Sequence, residues 1–261
     1  MARRLQTREW LVAAAGVALV ALALLGGYAA VRARAQGATP RLPLAPVRVT
    51  PAASPSPTWE RWTVLRALGP VTAYRRPDTG AGVVARFGAV NANGFPSIFL
   101  VHSVRQVRGS TWYRVWLPVR PNGTQGWVRE GRVSLYTTSA KIVIDLSERR
   151  LRVYRRGQLV GDFPVAVGRP GLETPTGFFY VNQKLRPPDP GGPYGVVALG
   201  ISAFQPKLAH WPQGGPVAIH GTNQPELIGK AVSHGCVRMY NRDVKKVDRL
   251  VPAGSPVVIQ E

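Results

Sequence analysis

An uncharged stretch of 21 residues, 11–31, lies near the start of this 261-residue chain. As a helix it would be about 32 Å long, which is enough to cross the hydrocarbon core of a bilayer. A secretory signal usually has a shorter apolar region of about 7–15 residues, although Ala33-Arg34-Ala35 has the small-x-small pattern of a cleavage site. We predict that residues 1–35 form a cytoplasmic tip and an uncleaved membrane anchor, with the rest of the chain outside. Cleavage near Ala35 is the alternative, and in either case the protein is exported.

Residues 36–58 contain six prolines and few large apolar side chains. This composition is typical of an extended spacer rather than of a packed element. We predict that the segment separates the anchor from the folded part of the chain. The same composition is equally consistent with a tether that sets no particular distance between the anchor and the folded part.

Residues 59–138 contain short runs of β-favouring residues between turn signals. The strand candidates are Val71–Tyr74, Val83–Phe87 and residues 112–116, and the turns are Pro77-Asp78, Asn93-Gly94 and Asn122-Gly123. The pattern predicts a small β domain.

Residues 139–261 contain a second set of strand candidates, which predicts a second β-rich domain. They are 142–146, 151–154, 159–160, 163–167, 195–201 and 256–259. Asn241 is predicted to cap one short helix near the end of the chain. The apolar face of that helix would hold Val244, Val247, Leu250 and Val251.

The only cysteine, Cys236, follows two histidines, His220 and His234, in the stretch 216–241. A thiolate can attack a carbonyl while a histidine takes and returns the proton and backbone N–H groups hold the oxyanion. A free thiol has a pKa of about 8.5, so it needs a cationic or N–H-rich setting to ionise near neutral pH. The apolar run 217–219 ends at His220, which predicts that this histidine lies at the end of a buried strand. Spacing alone allows either histidine to act as the base.

Two other interpretations of these residues remain open. His220, His234 and Cys236 could be ligands of a catalytic zinc ion, although the chain has no obvious acidic ligand or HExxH-like pair. They could also be structural, because a lone cysteine is often a small buried apolar side chain. Their neighbours favour catalysis: a glycine directly follows each histidine and permits close approach of a substrate. Arg238, two residues after the thiol, could pair with a substrate carboxylate.

The segments Ile219-His220-Gly221-Thr222-Asn223 and Ser233-His234-Gly235-Cys236-Val237-Arg238-Met239 closely resemble the signature of the L,D-transpeptidases of bacterial cell walls, the YkuD-type catalytic domain. Residues 174–178 and 195–201 are also similar to this family, so the resemblance covers nearly all of 139–260. It implies that Cys236 is the nucleophile and that His220 is the general base, with its ring oriented by the Gly221 carbonyl. His234 remains the alternative base.

The resemblance also implies an oxyanion hole made by the backbone N–H groups of Gly235 and Cys236, with help around His234. Ser233 and His234 are expected to shape the loop. The residues expected to bind the substrate are Arg238, Thr222 and Asn223.

The implied substrate is a peptidoglycan stem tetrapeptide. The thiol would attack the bond between its third residue and its terminal D-alanine, and a second stem would resolve the thioester to form a 3→3 cross-link. Transfer to water would instead make the protein an L,D-carboxypeptidase, and transfer to a protein would attach that protein to the wall. Neither a metal nor an organic cofactor is implied.

Trp112-Tyr113-Arg114-Val115 and Gly126-Trp127-Val128 resemble bacterial SH3-like domains, which often accompany wall enzymes. The first domain could therefore bind the wall or orient the substrate, or it could be a packing domain with tryptophans in its core. A non-catalytic wall-binding protein is the corresponding alternative for the whole chain. The predicted fold class is mainly β: a membrane helix, a small SH3-like β-barrel, and a β-rich catalytic domain with a short helix after the cysteine loop.

The net charge is +21, with 28 arginines and six lysines. Such a charge is compatible with nucleic acid or with an anionic surface. Because no basic block with interleaved aromatic residues occurs, we predict attraction to an anionic cell envelope and no nucleic-acid partner. A single cysteine excludes an intrachain disulfide, as expected for a thiol kept free in an oxidising compartment.

Overall fold

A computed structural model of the protein describes residues 60–211 and 214–261. The predicted membrane anchor and proline-rich spacer lie outside these residues. Within the described part of the chain, no helix is long and apolar enough to cross a membrane.

The first part of the described chain forms one antiparallel sheet with the strand order β3-β2-β6-β5-β4-β1-β7. Its strands are β1 (Trp62–Ala67), β2 (Val71–Tyr74), β3 (Val83–Phe87), β4 (Ile98–Val107), β5 (Ser110–Trp116), β6 (Gln125–Arg129) and β7 (Val133–Thr138).

The second part forms a mixed sheet with the order β10-β9-β8-β17-β12-β13-β14-β16, and β11 pairs separately with β15. Its strands are β8 (Ala140–Asp145), β9 (Arg150–Arg155), β10 (Gln158–Pro164), β11 (Val167–Gly168), β12 (Gly177–Leu185), β13 (Ala198–Phe204), β14 (Pro216–His220), β15 (Ala231–Ser233), β16 (Val237–Arg238) and β17 (Pro256–Gln260). The helices that lie wholly within the described residues are α1 (Asn241–Leu250) and two short 3-10 helices, Pro206–Leu208 and Pro225–Leu227. The predicted mainly β class is therefore confirmed.

Several predicted strands differ from the observed ones. The candidate at 159–160 lies within β10, together with the first two residues of the candidate at 163–167, and β10 has an irregularity between Leu159 and Gly161. The strand predicted at 195–201 begins only at Ala198. Before it, Gly195 has φ +61° and its N–H donates to the Gly192 carbonyl over 3.0 Å, so this part of the chain is a turn rather than a strand.

The first sheet has an apolar core of its own. Leu65, Phe99 and Val115 are almost fully buried, as alternation along half-buried strands requires. Trp112 and Trp127 are only 4% and 7% exposed. Both rings are thus buried, as the packing role predicted for them requires, although they lie outside the cluster that contains Val115.

A separate apolar cluster joins the two sheets. Val64 and Leu100 of the first sheet pack with Tyr180 of β12, and all three are at most 1% exposed. The Tyr180 hydroxyl donates to the Ile98 carbonyl over 3.0 Å, so its polar atom is satisfied. Burial raises the pKa of Tyr180 well above its usual value.

The helix α1 packs its apolar face against the second sheet. Val244 and Val247 are completely buried, and each contributes roughly 1.5–3 kcal/mol through removal from water. The prediction that Asn241 caps this helix is wrong: Tyr240 is the cap residue and Asn241 lies inside the first turn. The Asn241 side chain instead accepts a hydrogen bond from the backbone N–H of Thr222 over 3.1 Å.

Candidate active site

Two short neighbouring strands bring the motif residues together. β14 and β16 are parallel, with Ile219 beside Val237 and His220 beside Arg238. Ile219 and Val237 are fully buried in the core. Because successive residues of a strand face opposite sides of the sheet, and residues in register face the same side, His220 and Arg238 share the other face. Cys236 directly precedes β16.

His220 is held in one orientation at the end of β14. It is 3% exposed, and its Nδ1 lies 2.5 Å from the Gly221 carbonyl oxygen. Since a carbonyl can only accept, Nδ1 carries the proton and Nε2 is left with its lone pair. Burial lowers the pKa of His220 to about 4; the Gly221 carbonyl opposes this shift and the positive charge of Arg238 adds to it. The imidazole is therefore neutral at neutral pH.

Cys236 is half-buried and is the free thiol of the chain. Burial raises the pKa of the thiol, while a hydrogen bond from the Ala218 backbone and the charge of Arg238 lower it by less. The thiol is therefore protonated at neutral pH. Thiol and imidazole are both neutral before a substrate binds.

The loop before the thiol is fixed by Ser233. The Ser233 hydroxyl donates to the Cys236 carbonyl over 2.5 Å and accepts from the Gly235 N–H over 3.0 Å. Gly235 has φ +116°, a backbone conformation that favours glycine. The Gly235 N–H, which was predicted to hold an oxyanion, is therefore bonded to Ser233 here.

His234 lies in a different environment from His220. Its ring is 5.3 Å from the Trp211 ring, centre to centre, and it is half-buried. Burial lowers the pKa of His234, and the charges of Arg169 and Arg238 lower it further.

Arg238, Thr222 and Asn223 were predicted to bind the substrate. Arg238 donates from Nη1 to Gln224 over 3.2 Å, and its buried Nε has no hydrogen-bond partner among the described residues. Thr222 is 3% exposed, its hydroxyl accepts from the Gln224 N–H over 3.0 Å, and it lies at the wall of a hollow. Asn223 lines an open hollow of about 640 Å³ together with Tyr240.

Several residues at the site carried no signal in the sequence. The Tyr194 ring lies 5.0 Å from the His220 ring, with an interplanar angle of 61°, and Tyr194 is 53% exposed. The Gln205 side chain contacts Gly235. The Arg169 N–H donates to the Ser233 carbonyl over 2.9 Å. All three residues lie far from the motif in sequence or outside any periodic run, so only the fold brings them to it.

The zinc alternative requires a cluster of ligands. Among residues 60–211 and 214–261, no three histidine, cysteine, aspartate or glutamate side chains lie close enough together to hold a metal ion. His220, His234 and Cys236 thus do not form the ligand group that this alternative proposed.

Comparisons with known proteins point to one family. Residues 139–259, which include His220, His234 and Cys236, match the model of the YkuD L,D-transpeptidase catalytic domain. The "Putative L,D-transpeptidase YkuD" of Bacillus licheniformis is 43% identical over 123 residues, which cover 47% of this chain and 67% of the relative. The protein of the same name in Bacillus subtilis is 37% identical over 135 residues, covering 52% and 74%.

A crystal structure of an Enterococcus faecium L,D-transpeptidase is also similar. It is 25% identical with a TM-score of 0.38, and the match covers 46% of this chain and 49% of that one. The chain thus spans about half of the length of that structure. The family assignment rests on the two Bacillus relatives.

Proposed function

Because this chain belongs to the YkuD family of L,D-transpeptidases, we propose that it is a peptidoglycan L,D-transpeptidase that forms 3→3 cross-links. The observation that carries the proposal is the pairing of β14 with β16. It brings the buried, neutral imidazole of His220 beside the strand that follows the lone thiol, within the matched domain. The proposed donor is a stem tetrapeptide that ends in D-alanine.

Cys236 is the proposed nucleophile and His220 the proposed general base. Since both groups are neutral before reaction, the thiol proton passes to Nε2 as sulfur attacks the carbonyl carbon of the third stem residue. The tetrahedral intermediate collapses, the C–N bond breaks, and the D-alanine amine leaves with the proton from Nε2. The amine of a second stem then attacks the thioester and its proton passes to Nε2. The C–S bond breaks as the new amide forms, and Nε2 returns the proton to sulfur, which restores the thiol.

The fixed tautomer supports His220 rather than His234 as the base. The hydrogen bond between Nδ1 and the Gly221 carbonyl keeps the lone pair on Nε2. His234 packs against Trp211 in the loop and is more exposed. We assign His234, together with Ser233, to the shape of the loop.

The Cys236 N–H is the main proposed donor to the oxyanion. The Gly235 N–H is already donated to Ser233, so it would contribute only if that bond lengthens in the reaction. Preorganised donors of this kind are usually a large part of catalysis.

Arg238 is the proposed partner of a substrate carboxylate. Its guanidinium is half-buried and retains an Nε without a partner among the described residues, and a carboxylate could take bonds from two of its nitrogens. Asn223, at the edge of the neighbouring hollow, would contact the stem peptide, whereas Thr222 would act by holding the loop.

We also propose that residues 1–35 anchor the protein in the membrane and that residues 59–138 form an SH3-like module. The length of the uncharged stretch supports the anchor. The seven-stranded sheet with its own core supports the module. Since Trp112 and Trp127 are buried, any contact with the wall would come from other side chains. Fractionation of cells that express the full chain and a chain lacking residues 1–35 would test the anchor.

The proposed activity can be tested by incubating the purified chain with muropeptides that carry tetrapeptide stems. Mass spectrometry would follow release of D-alanine and formation of cross-linked dimers. We expect both with the unaltered chain, no product with Cys236→Ala, and no effect of a chelator. Dimer formation by Cys236→Ala would refute the thioester mechanism.

The same experiment separates the alternatives. Tripeptide without dimer would identify an L,D-carboxypeptidase under those conditions. Chelator-sensitive turnover would favour the zinc hydrolase. Wall binding without any turnover would favour a non-catalytic wall-binding protein.

A further inference from the structure

One loop of the first sheet reaches the second sheet near the thiol. Residues 117–124 connect β5 with β6, and Arg120 lies in this loop. One of its guanidinium nitrogens, Nη2, donates to the Gln205 carbonyl and to the Gly214 carbonyl, each over 2.6 Å. The guanidinium also lies over the Phe204 ring at 5.3 Å. Charge-assisted bonds of this length are among the stronger ones in proteins.

Asn122, in the same loop, holds the adjacent backbone. Its Nδ2 donates to the Phe204 carbonyl over 2.8 Å, and its Oδ1 accepts from the Phe204 N–H over 2.9 Å. One side-chain amide thus occupies both backbone groups of one residue, as a neighbouring strand would. Arg120 and Asn122 together form what we call the Arg120/Asn122 clamp.

The segment held by this clamp is the support of the thiol loop. Gln205 is 3% exposed, and its Nε2 donates to the Glu173 carbonyl over 2.7 Å. A Cβ added to Gly235 would lie 3.2 Å from the Gln205 Cγ, so Gly235 packs directly on this fixed side chain. Six residues further along, Trp211 contacts His234. Gln205 and Trp211 thus contact the two residues that precede Cys236.

We propose that Arg120 and Asn122 are positioning residues: they hold Gln205 in place, and Gln205 supports the backbone of Gly235 beside the thiol. The N-terminal sheet would then be part of the acyl-transfer site although it contributes no reacting group. The expected effect of these residues on catalysis rests on the proposed function. Their expected effect on the rigidity of the thiol loop does not.

A purely structural role, in which the clamp merely joins the sheets, is the competing explanation. The apolar cluster around Tyr180 already joins them elsewhere. The clamp differs from that cluster because its hydrogen bonds run to the backbone of Phe204, Gln205 and Gly214. Its loss should therefore loosen the thiol loop without unfolding the protein.

The test uses the full chain and four variants. Arg120→Met removes the donors but keeps an apolar side chain of similar length, whereas Arg120→Lys retains an ammonium that can reach part of the same site. Asn122→Ala removes the second half of the clamp. Arg86→Met, an exposed arginine on the edge strand β3, is the matched control.

Hydrogen exchange would be followed in peptides that cover residues 231–239 and, as a reference, residues 142–153 of the core. We expect exchange at 231–239 to become about tenfold faster in Arg120→Met and Asn122→Ala, with the reference unchanged. Arg120→Lys should recover part of the protection, and Arg86→Met should match the unaltered chain. D-alanine release should show kcat lowered about tenfold, with KM within twofold, because misplacement of a reacting group acts on the chemical step.

Unchanged exchange at 231–239 in both clamp variants would overturn the proposal, whatever the activity of the chain. Equal loss of protection in both peptides would also overturn it, because that result indicates general destabilisation. If the unaltered chain releases no D-alanine, the proposed function fails, and the exchange data still decide the role of the clamp.

Discussion

The end of β14 and the loop before Cys236 each present a histidine near the thiol, and the two are held in different ways. His220 is nearly inaccessible and its Nδ1 is tied to the next carbonyl. His234 is half-buried and packs on Trp211, in a loop whose shape depends on Ser233. Proximity in sequence therefore says little about which imidazole can take a proton. A fixed tautomer in a buried position is the stronger criterion for identifying the general base.

The largest effect should distinguish these two histidines. His220→Ala should lower kcat/KM for D-alanine release by about 10²–10⁴-fold, the range typical of a lost general base. His234→Ala should lower it less than tenfold, because that residue shapes the loop. Rates would be measured by mass spectrometry with a tetrapeptide stem. Comparable losses in the two variants, or a larger loss in His234→Ala, would contradict the assignment.

The second prediction concerns pH. The pKa of His220 is about 4 in the folded protein and about 6.5 in an unfolded chain, so the unfolded state binds more protons between these values. The free energy of unfolding should therefore fall as pH decreases from 6.5 to 4, by about 3 kcal/mol in all. Urea unfolding of the unaltered chain and of His220→Asn would measure this.

His220→Asn should lose most of this pH dependence, whereas His234→Asn should keep it. The acid limb of kcat/KM should likewise lie near pH 4 rather than near 6.5. An acid limb clearly above pH 4 that disappears in His234→Asn would make the loop histidine the base.

The sequence predicts the end of β14, but it does not predict which residues surround the loop before Cys236. The run 217–219 is apolar and ends at His220, so a buried strand end was predictable from local pattern. Arg120 contacts Gln205 and Gly214 across 85 and 94 residues, and no local pattern contains such contacts. Asparagine often caps helices, yet the Asn241 side chain accepts from the Thr222 N–H instead, in space that side chains at 195 and 221 would fill.

A smaller effect should follow from Gly235→Ala. An alanine at φ +116° is strained, at a cost of about 1–3 kcal/mol, and its Cβ would press on Gln205. Gly229 has φ +89° with no neighbour within 4 Å of an added Cβ, so Gly229→Ala is a control for strain alone. We expect both variants to lower the melting temperature and only Gly235→Ala to lower kcat, by about tenfold. Equal kcat values would show that the loop tolerates displacement of its support.

The smallest effect should come from the ring that packs on His234. Burial is the main cause that lowers the pKa of His234, and part of that burial comes from Trp211. Trp211→Ala should therefore raise the pKa of His234 toward its ordinary value. His220 lies at the end of β14 and packs on Tyr194 instead, so its pKa should remain near 4. NMR titration of the imidazole nitrogens would follow both rings in one sample. If the His220 pKa moved as well, the two histidines would belong to one coupled environment, and the distinction between a rigid strand end and an adjustable loop would have to be abandoned.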